Sequence, residues 1–289
     1  MGYYLIKLIS RIACMLPASV CDWLGKRLTD ILWPFVPTKR KRMAEGNVKL
    51  CLGVDDDEAR RIVEASAKRF GPMLFEVLRF PVINKHMDDY VEVVGKEYMK
   101  KGLELGRGAV IATSHSGNWE LMGGALSHAG FPIVGVAMKQ KNAAMDRFIN
   151  EYRRLIGMHI TYKNDVREML RMMKDGWVIG LLMDQDTNTH DGIILDFFGR
   201  KTNCVPGPAS MARFRDVPIF PVHVTRLPNG KHRVIINPAI FVEKTTDKRA
   251  DIAETMQKLN DILEKHVREH PEEWFWLHDR WKSMREDLV

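Results

Sequence analysis

The chain has 289 residues, long enough to bury a substantial core as one large α/β domain or two small ones. Its formal net charge of +7 and pI of about 9.2 favour an anionic partner: nucleic acid, an acidic membrane surface or a phosphorylated substrate. No repeat, low-complexity tract, collagen period or heptad is visible, and the cysteines (Cys14, Cys21, Cys51, Cys204) lack the spacing of a structural zinc site, as expected of a reduced, cytosol-facing chain. The 17 Met and 7 Trp suit either an ordinary core or a protein that handles lipid.

Residues Tyr3 to Leu16 pattern as a helix with Lys7, Ser10, Arg11 and Cys14 along one stripe and Leu5, Leu8, Ile9, Ile12 and Leu16 over the rest. No apolar run approaches the roughly 18 residues of a transmembrane helix, and Pro17 interrupts the pattern. Charges inside the run argue against a cleaved signal peptide, and Gly2 lacks the Ser or Thr at position 6 of a myristoylation signal. Trp23, then Leu32-Trp33-Pro34-Phe35-Val36-Pro37, then Lys39-Arg40-Lys41-Arg42, read as a segment lying in an anionic membrane surface. The alternative is a helix packed on its own domain beside a solvated charge run. Asp55-Asp56-Asp57-Glu58 supplies a cap and dipole-matched charge for a helix running toward Phe80, with a break near Gly71-Pro72.

From Val91 short strands and helices alternate. The strands are predicted at Val91–Val94, Ala109–Thr113, Ile133–Ala137, Trp177–Met183, Ile219–Val224 and Val234–Ile240. The helices are predicted at Glu97–Leu105, Trp119–Ala129, Ala143–Ile156, Val166–Lys174 (capped by Asn164, stopped by Gly176), Ala209–Arg215 and Ile252–Val267. This rhythm implies an α/β fold with a mainly parallel sheet flanked by helices on both faces. Residues 1–37 are expected as an amphipathic membrane-associating segment and 38–289 as a single α/β domain.

Ala109-Val-Ile-Ala-Thr-Ser-His115-Ser-Gly-Asn-Trp-Glu120 places a His and a Glu where a buried strand hands over to a helix, the position at which α/β sheets bind ligands. In one regular helix five residues turn through about 500°, leaving the two side chains roughly 140° apart. They can meet only if Ser116-Gly117-Asn118 turns between them. The expected arrangement is Glu120 within hydrogen-bonding reach of His115, orienting an imidazole base as in a Ser-His-Asp triad without the serine. The nucleophile is then a hydroxyl of the substrate. Amides at Gly117 and Asn118 are candidates to hold an anion or oxyanion. A lone His beside a turn is otherwise a structural residue. Asp184-Gln185-Asp186 closes a later strand, as a solvated turn or as acids that orient a base or cation. The nearby Asp191-Gly192 does not make a calcium loop, because Thr189 and Leu195 stand where Gly and Glu are required. Lys139, Lys141, Arg147, Arg153 and Arg154 form a solvated face or a phosphate-receiving cluster. Trp274-Phe-Trp276-Leu-His278-Asp-Arg280-Trp281-Lys282 is expected mainly as core packing, with a contribution to the rim of an apolar tunnel as the alternative.

His115-Ser-Gly-Asn-Trp-Glu120 resembles the H-x4-D/E motif of the glycerol-3-phosphate and lysophospholipid acyltransferase superfamily, in the Asn-Trp-Glu version of the bacterial lipid A biosynthesis acyltransferases, the late lauroyl and myristoyl transferases. The resemblance continues through Arg42…Asn47-Val-Lys-Leu-Cys51, Arg153 with Gly157, Asp184-Gln185-Asp186, Phe197-Phe-Gly199, Pro208-Ala-Ser210 and Pro271 to Lys282, covering nearly the whole chain in order. Met138-Lys139-Gln-Lys141 departs from the Tyr-Arg-Pro run common in those enzymes, and the N-terminal segment is more charged than many of their anchors. The resemblance implies acyl transfer from a thioester, typically acyl-carrier protein, to a hydroxyl of a phosphorylated glycolipid. His115 is implied as the base, Glu120 as its partner, and Arg153 (or Arg154) and Asp184 as supporting residues. Substrate contacts are expected at Gly117, Asn118, Lys139, Arg154 and Asp186. No metal or cofactor and no nucleic acid is implied; the site is expected at the cytoplasmic face of a bacterial inner membrane, peripherally or monotopically bound. Acylation of another lipid, such as a mannosylated phosphoinositide, from acyl-CoA, hydrolysis with the same His-Glu pair, and a non-catalytic lipid-binding role stay open.

Overall fold

Unbroken apolar runs such as Ala109–Thr113 suit a parallel sheet whose two faces are both covered, since alternate side chains then enter two different cores. In the computed structural model, which describes residues 2–187 and 192–285, the strands in chain order are β1 (Val91–Val94), β2 (Ala109–Thr113), β3 (Ile133–Ala137), β4 (His159–Tyr162), β5 (Val178–Leu182), β6 (Ile193–Phe197), β7 (Arg200–Cys204), β8 (Ile219–Arg226) and β9 (His232–Ile236). Seven of them make one sheet in the order β1-β9-β8-β2-β5-β3-β4, and β6 pairs with β7 as a separate antiparallel hairpin. Every pairing in the large sheet is parallel except β8 with β9. The sheet is mainly parallel, as the strand–helix rhythm implies.

The helices are α1 (Gly2–Met15), α2 (Ala18–Leu32), α3 (Thr38–Leu52), α4 (Asp56–Lys68), α5 (Phe70–Leu78), α6 (Phe80–Ile83), α7 (Met87–Tyr90), α8 (Lys96–Leu103), α9 (Trp119–His128), α10 (Ala143–Leu155), α11 (Val166–Lys174), α12 (Gly207–Arg215) and α13 (Lys248–Glu269). Strand β2 shows the two-sided burial directly. Val110 and Ala112 join a core with Val48, Ile62, Met173 and Leu259, whereas Ala109 and Ile111 join one with Phe80, Leu121, Phe148 and Phe220.

Several elements differ from the sequence expectation. Strand β4 and the β6–β7 hairpin were not predicted, because His159–Tyr162 is short and Arg200–Cys204 is polar enough to read as loop. The acid-capped helix breaks at Arg69, just ahead of the expected Gly71-Pro72, restarts as α5, and breaks a second time at Arg79. Pro72 falls in the first turn of α5, where its missing N–H breaks no helical bond. Gly71 serves a close crossing: a Cβ there would run into the backbone of Gly25 on α2. The cap residue of α11 is Asp165, not Asn164. Strand β9 ends at Ile236, ahead of Pro238, which has no N–H for a ladder.

The N-terminal helices lie on this framework. Ser10 donates to the Leu78 carbonyl (2.7 Å) and bonds the Tyr152 hydroxyl, Lys7 pairs with Glu151 at 2.8 Å, and Arg79 donates to the Ala13 carbonyl (2.6 Å) at the end of α1. Lys7, Ser10 and Cys14 of the polar stripe thus face inward, while Arg11 is exposed. Tyr4, Leu5, Leu8, Ile9 and Ile12 face out, as do Met15 (85% exposed) and, after α2, Phe35 (79%). Among the described residues no helix is long and apolar enough to cross a membrane.

Replacing Gly71 by Ala should destabilise the chain by about 1–3 kcal/mol through overpacking of the α2–α5 crossing. Gly46→Ala on α3, where nothing lies within 4 Å of the added Cβ, should instead stabilise by about 0.5–1 kcal/mol. Urea denaturation of the two variants measures both; equal midpoints would contradict the close crossing.

Candidate active site

Beyond Thr113 the chain passes through Ser114-His115-Ser116-Gly117-Asn118 into α9. Asn118 caps the helix, its side-chain oxygen accepting from the Leu121 N–H at 3.0 Å. Its amide group donates to Glu76 (2.6 Å), whose other oxygen pairs with His232 Nε2 at 2.9 Å. Gly117 takes a positive φ of 54°, and its N–H donates to the Glu273 carbonyl at 3.0 Å. The Arg69 guanidinium donates to the carbonyl oxygens of His115 (2.7 Å) and Gly117. Burial lowers the Arg69 pKa to about 10, against the raising influence of Glu273 and Asp184. The turn is therefore held from α4–α5, β9 and the C-terminal segment at once.

His115 meets Asp184 and not Glu120. Its Nδ1 lies 2.8 Å from Asp184 Oδ1, and its backbone N–H donates to Asp184 Oδ2 at 2.9 Å. Trp274 Nε1 donates to the same Oδ2 at 2.9 Å, and the carboxylate is only 3% exposed. Burial alone would lower the His115 pKa, but the Asp184 charge and hydrogen bond outweigh it and raise it above the ordinary imidazole value. Burial likewise works to raise Asp184; the charge of His115, the bonds from His115 and the bond from Trp274 hold it at about 2. The carboxylate stays charged and fixes the ring, leaving Nε2 to exchange a proton.

Glu120, in the first turn of α9, is engaged elsewhere. Arg153 on α10 grips it bidentately, Nε to Oε2 at 2.7 Å and Nη2 to Oε1 at 2.5 Å. The expected His115–Glu120 hydrogen bond is corrected accordingly: the first turn of α9 brings the carboxylate to α10. Glu120 still acts on His115 through space, as a further charge that raises its pKa. Of the two adjacent arginines, Arg153 enters the site and Arg154 is exposed, as are Lys139 and Lys141. The Gly117 amide, expected for an oxyanion, is occupied by the Glu273 carbonyl, and the Asn118 side chain by the cap and Glu76. Asp186 accepts from the Ser283 N–H (2.9 Å) and hydroxyl (2.6 Å), and its own N–H donates to His278 Nε2 at 3.1 Å, so its carboxylate ties down the C-terminal segment. Thr189 and Asp191 lie outside the described residues.

From the Glu120–Arg153 pair a narrow cavity of about 70 Å³ runs between α9 and strands β2, β5 and β3. Ile111, Met122, Leu126, Ile133 and Met158 line it, and Gly123 lets the Met158 sulfur lie directly on α9. Trp119 sets its edge against the His115 ring, centroids 4.9 Å apart. Arg69 and Trp274 escaped the sequence reading of the site. They reach it across 46 and 90 residues, with no local spacing to announce them.

Residues 1–283 match the family described as bacterial lipid A biosynthesis acyltransferase. The chain is 26% identical to the phosphatidylinositol mannoside acyltransferase of Mycolicibacterium smegmatis, over 84% of this chain and 78% of that protein. It is 23% identical to the lipid A biosynthesis lauroyltransferase of Escherichia coli, over 94% of this chain and 89% of that protein. The crystal structure of a 1-acyl-sn-glycerophosphate acyltransferase from Thermotoga maritima overlays with a TM-score of 0.41 at 13% identity, covering 89% of this chain and 99% of that one.

A base works in its neutral form, so the acidic limb of kcat/KM should rise with pH through a His115 pKa above the usual value of about 6.5. Asp184→Asn removes the charge that raises that pKa. Activity should fall by about 10²- to 10⁴-fold and the limb should move to lower pH. A limb that stays in place would show that Asp184 does not control the titrating group.

Proposed function

Because the chain belongs to the bacterial lipid A biosynthesis acyltransferase family, we propose that it moves a fatty acyl chain from a thioester donor to a hydroxyl of a lipid A precursor or related glycolipid. The observation that carries this reading is the His115–Asp184 pair beside an apolar cavity that begins at Glu120–Arg153.

His115 Nε2 takes the proton of the acceptor hydroxyl as its oxygen attacks the thioester carbonyl. The carbon–oxygen bond forms, the tetrahedral intermediate collapses, and the carbon–sulfur bond breaks. The departing thiolate receives the proton back from His115. Asp184 remains charged and stabilises the imidazolium formed between the two steps. The acyl chain enters between α9 and β2, β5 and β3, where Met122 and Met158 are long, adaptable side chains that can yield to it. Glu120–Arg153 fixes the mouth of that channel. General-base help of this kind supplies about 10²- to 10⁴-fold; the remaining acceleration comes from aligning two amphiphiles.

Acyl-carrier protein is the proposed donor, since exposed Lys139, Lys141, Arg147 and Arg154 offer an acidic carrier a basic landing surface at the β3–α10 edge. The outward apolar face of α1 and the exposed Phe35, followed by Lys39-Arg40-Lys41-Arg42, support peripheral binding to an anionic membrane that holds the acceptor, at the cytoplasmic face of the inner membrane.

Purified protein offered acyl-carrier-protein and acyl-CoA donors of several lengths, with lipid A precursors and mannosylated phosphoinositides as acceptors, should yield an acylated glycolipid by mass spectrometry. His115→Ala should lower its formation by about 10²- to 10⁴-fold. Thioester cleavage that is equally fast without acceptor would instead mark a hydrolase. The exposed positions Leu8 and Ile12 test the membrane reading: Leu8→Asp with Ile12→Asp should abolish co-sedimentation with phosphatidylglycerol vesicles while leaving the folded spectrum intact. Undiminished sedimentation would contradict it.

A further inference from the structure

On the β8–β9 side of the catalytic turn lies a second cavity, of about 840 Å³, within the roughly 300–1,000 Å³ of small-molecule sites. Its walls are α2, α5 to α7, the turn from Arg226 to Lys231, and Glu273. His115 does not line it, but the cavity shares a wall with the site. Glu76 holds Asn118, and Glu273 holds Gly117 through its carbonyl and the Arg226 N–H through its carboxylate at 3.2 Å.

The lining chemistry is balanced. Asp22, Glu76, Asp89 and Glu273 contribute carboxylates, against the cations of Lys26, Arg79, Arg226 and Lys231. Much of this charge is already paired: Asp22 binds Arg226 at 2.6 Å and Lys26 at 2.8 Å. Such a lining has little net attraction for a polyanion, yet it presents fixed acceptors and fixed donors side by side. Ser19, Tyr90 and Asn229 add neutral groups able to do both, and Phe75 and Pro228 add apolar faces. Ligands that donate and accept at adjacent atoms and show a C–H face match this set, which is the chemistry of a sugar. Ser19, Asp22 and Lys26 face the cavity, while Val20, Trp23 and Ile31 on the same helix are exposed apolar residues.

We propose that this cavity is a binding site for the hydroxyl-rich sugar head group of a glycolipid, distinct from the acyl channel and filled from the membrane side along α2. The inference rests on the acyltransferase reading and adds a subsite to it. A head group seated there is held by residues that do no chemistry, and its binding energy anchors the acceptor beside the turn that carries His115.

The test compares two acceptors, a lipid A precursor and decanol in the same mixed micelles. Two variants are used: Ser19→Trp, which fills the cavity from an exposed helix position, and the double variant Asp89→Ala with Lys231→Ala, which strips polar groups from its rim. Both should raise the KM for the glycolipid by about tenfold or more, leaving its kcat and the rate with decanol within twofold of wild type. An unchanged glycolipid KM in both variants would overturn the proposal, as would an equal loss with decanol. If the wild-type protein acylates neither acceptor, the acyltransferase reading fails; if it acylates both and the variants behave as wild type, only the sugar subsite fails.

Discussion

A single buried carboxylate organises the edge of the sheet at which β2 and β5 end. Asp184 sits two residues past the end of β5, nearly shut off from water, and an ionised carboxylate there is costly unless its oxygens are satisfied. Three donors satisfy it, from two distant parts of the chain: the His115 backbone, the His115 ring and the Trp274 indole. The first two lock the loop after β2 to the loop after β5. The third docks the C-terminal segment over both, and the Ser116–Trp274 bridge and the Gly117 to Glu273 bond extend that seam. The aromatic C-terminus is thus both core and part of the site.

Two acid–base pairs stand side by side and do different work. In His115–Asp184 the buried carboxylate raises the pKa of the imidazole it holds. Glu120–Arg153 is a bidentate pair that crosses from α9 to α10 at one end of the apolar cavity. Its carboxylate also adds to the field that favours the charged imidazole. The contrast with the buried histidines elsewhere is informative. His223 and His266 stack 4.3 Å apart with no acid partner among the described residues, and burial takes the pKa of His223 down to about 4. Burial alone lowers the pKa of a histidine; burial beside Asp184 leaves it raised.

Much of the fold was legible in the sequence because the central strands are continuous apolar runs and the helices between them carry caps and stops. Strands β1, β2, β3, β5 and β8 lie where β-branched periodicity puts them, within a few residues. What escaped was structure set by tertiary context: β4, short and next to α10, and the β6–β7 hairpin, which is tied to α13 through the backbone of Asp196 on β6. In the site the identities of His115, Glu120, Arg153 and Asp184 were legible and their pairing was not. Five residues of spacing suggested His115 with Glu120, whereas the true partner is 69 residues away and is brought in only when β5 pairs with β2. Gly117 was read as an open amide, but the carbonyl that occupies it belongs to Glu273, near the other end of the chain.

Asp184, and not Glu120, holds the His115 ring by its Nδ1 proton. Proton–nitrogen NMR of protein labelled in its histidines tests this pairing most directly. The wild type should show a strongly downfield Nδ1 proton for His115 that persists in Glu120→Gln and disappears in Asp184→Asn. A resonance that survives in Asp184→Asn and is lost in Glu120→Gln would contradict the pairing on which the mechanism rests.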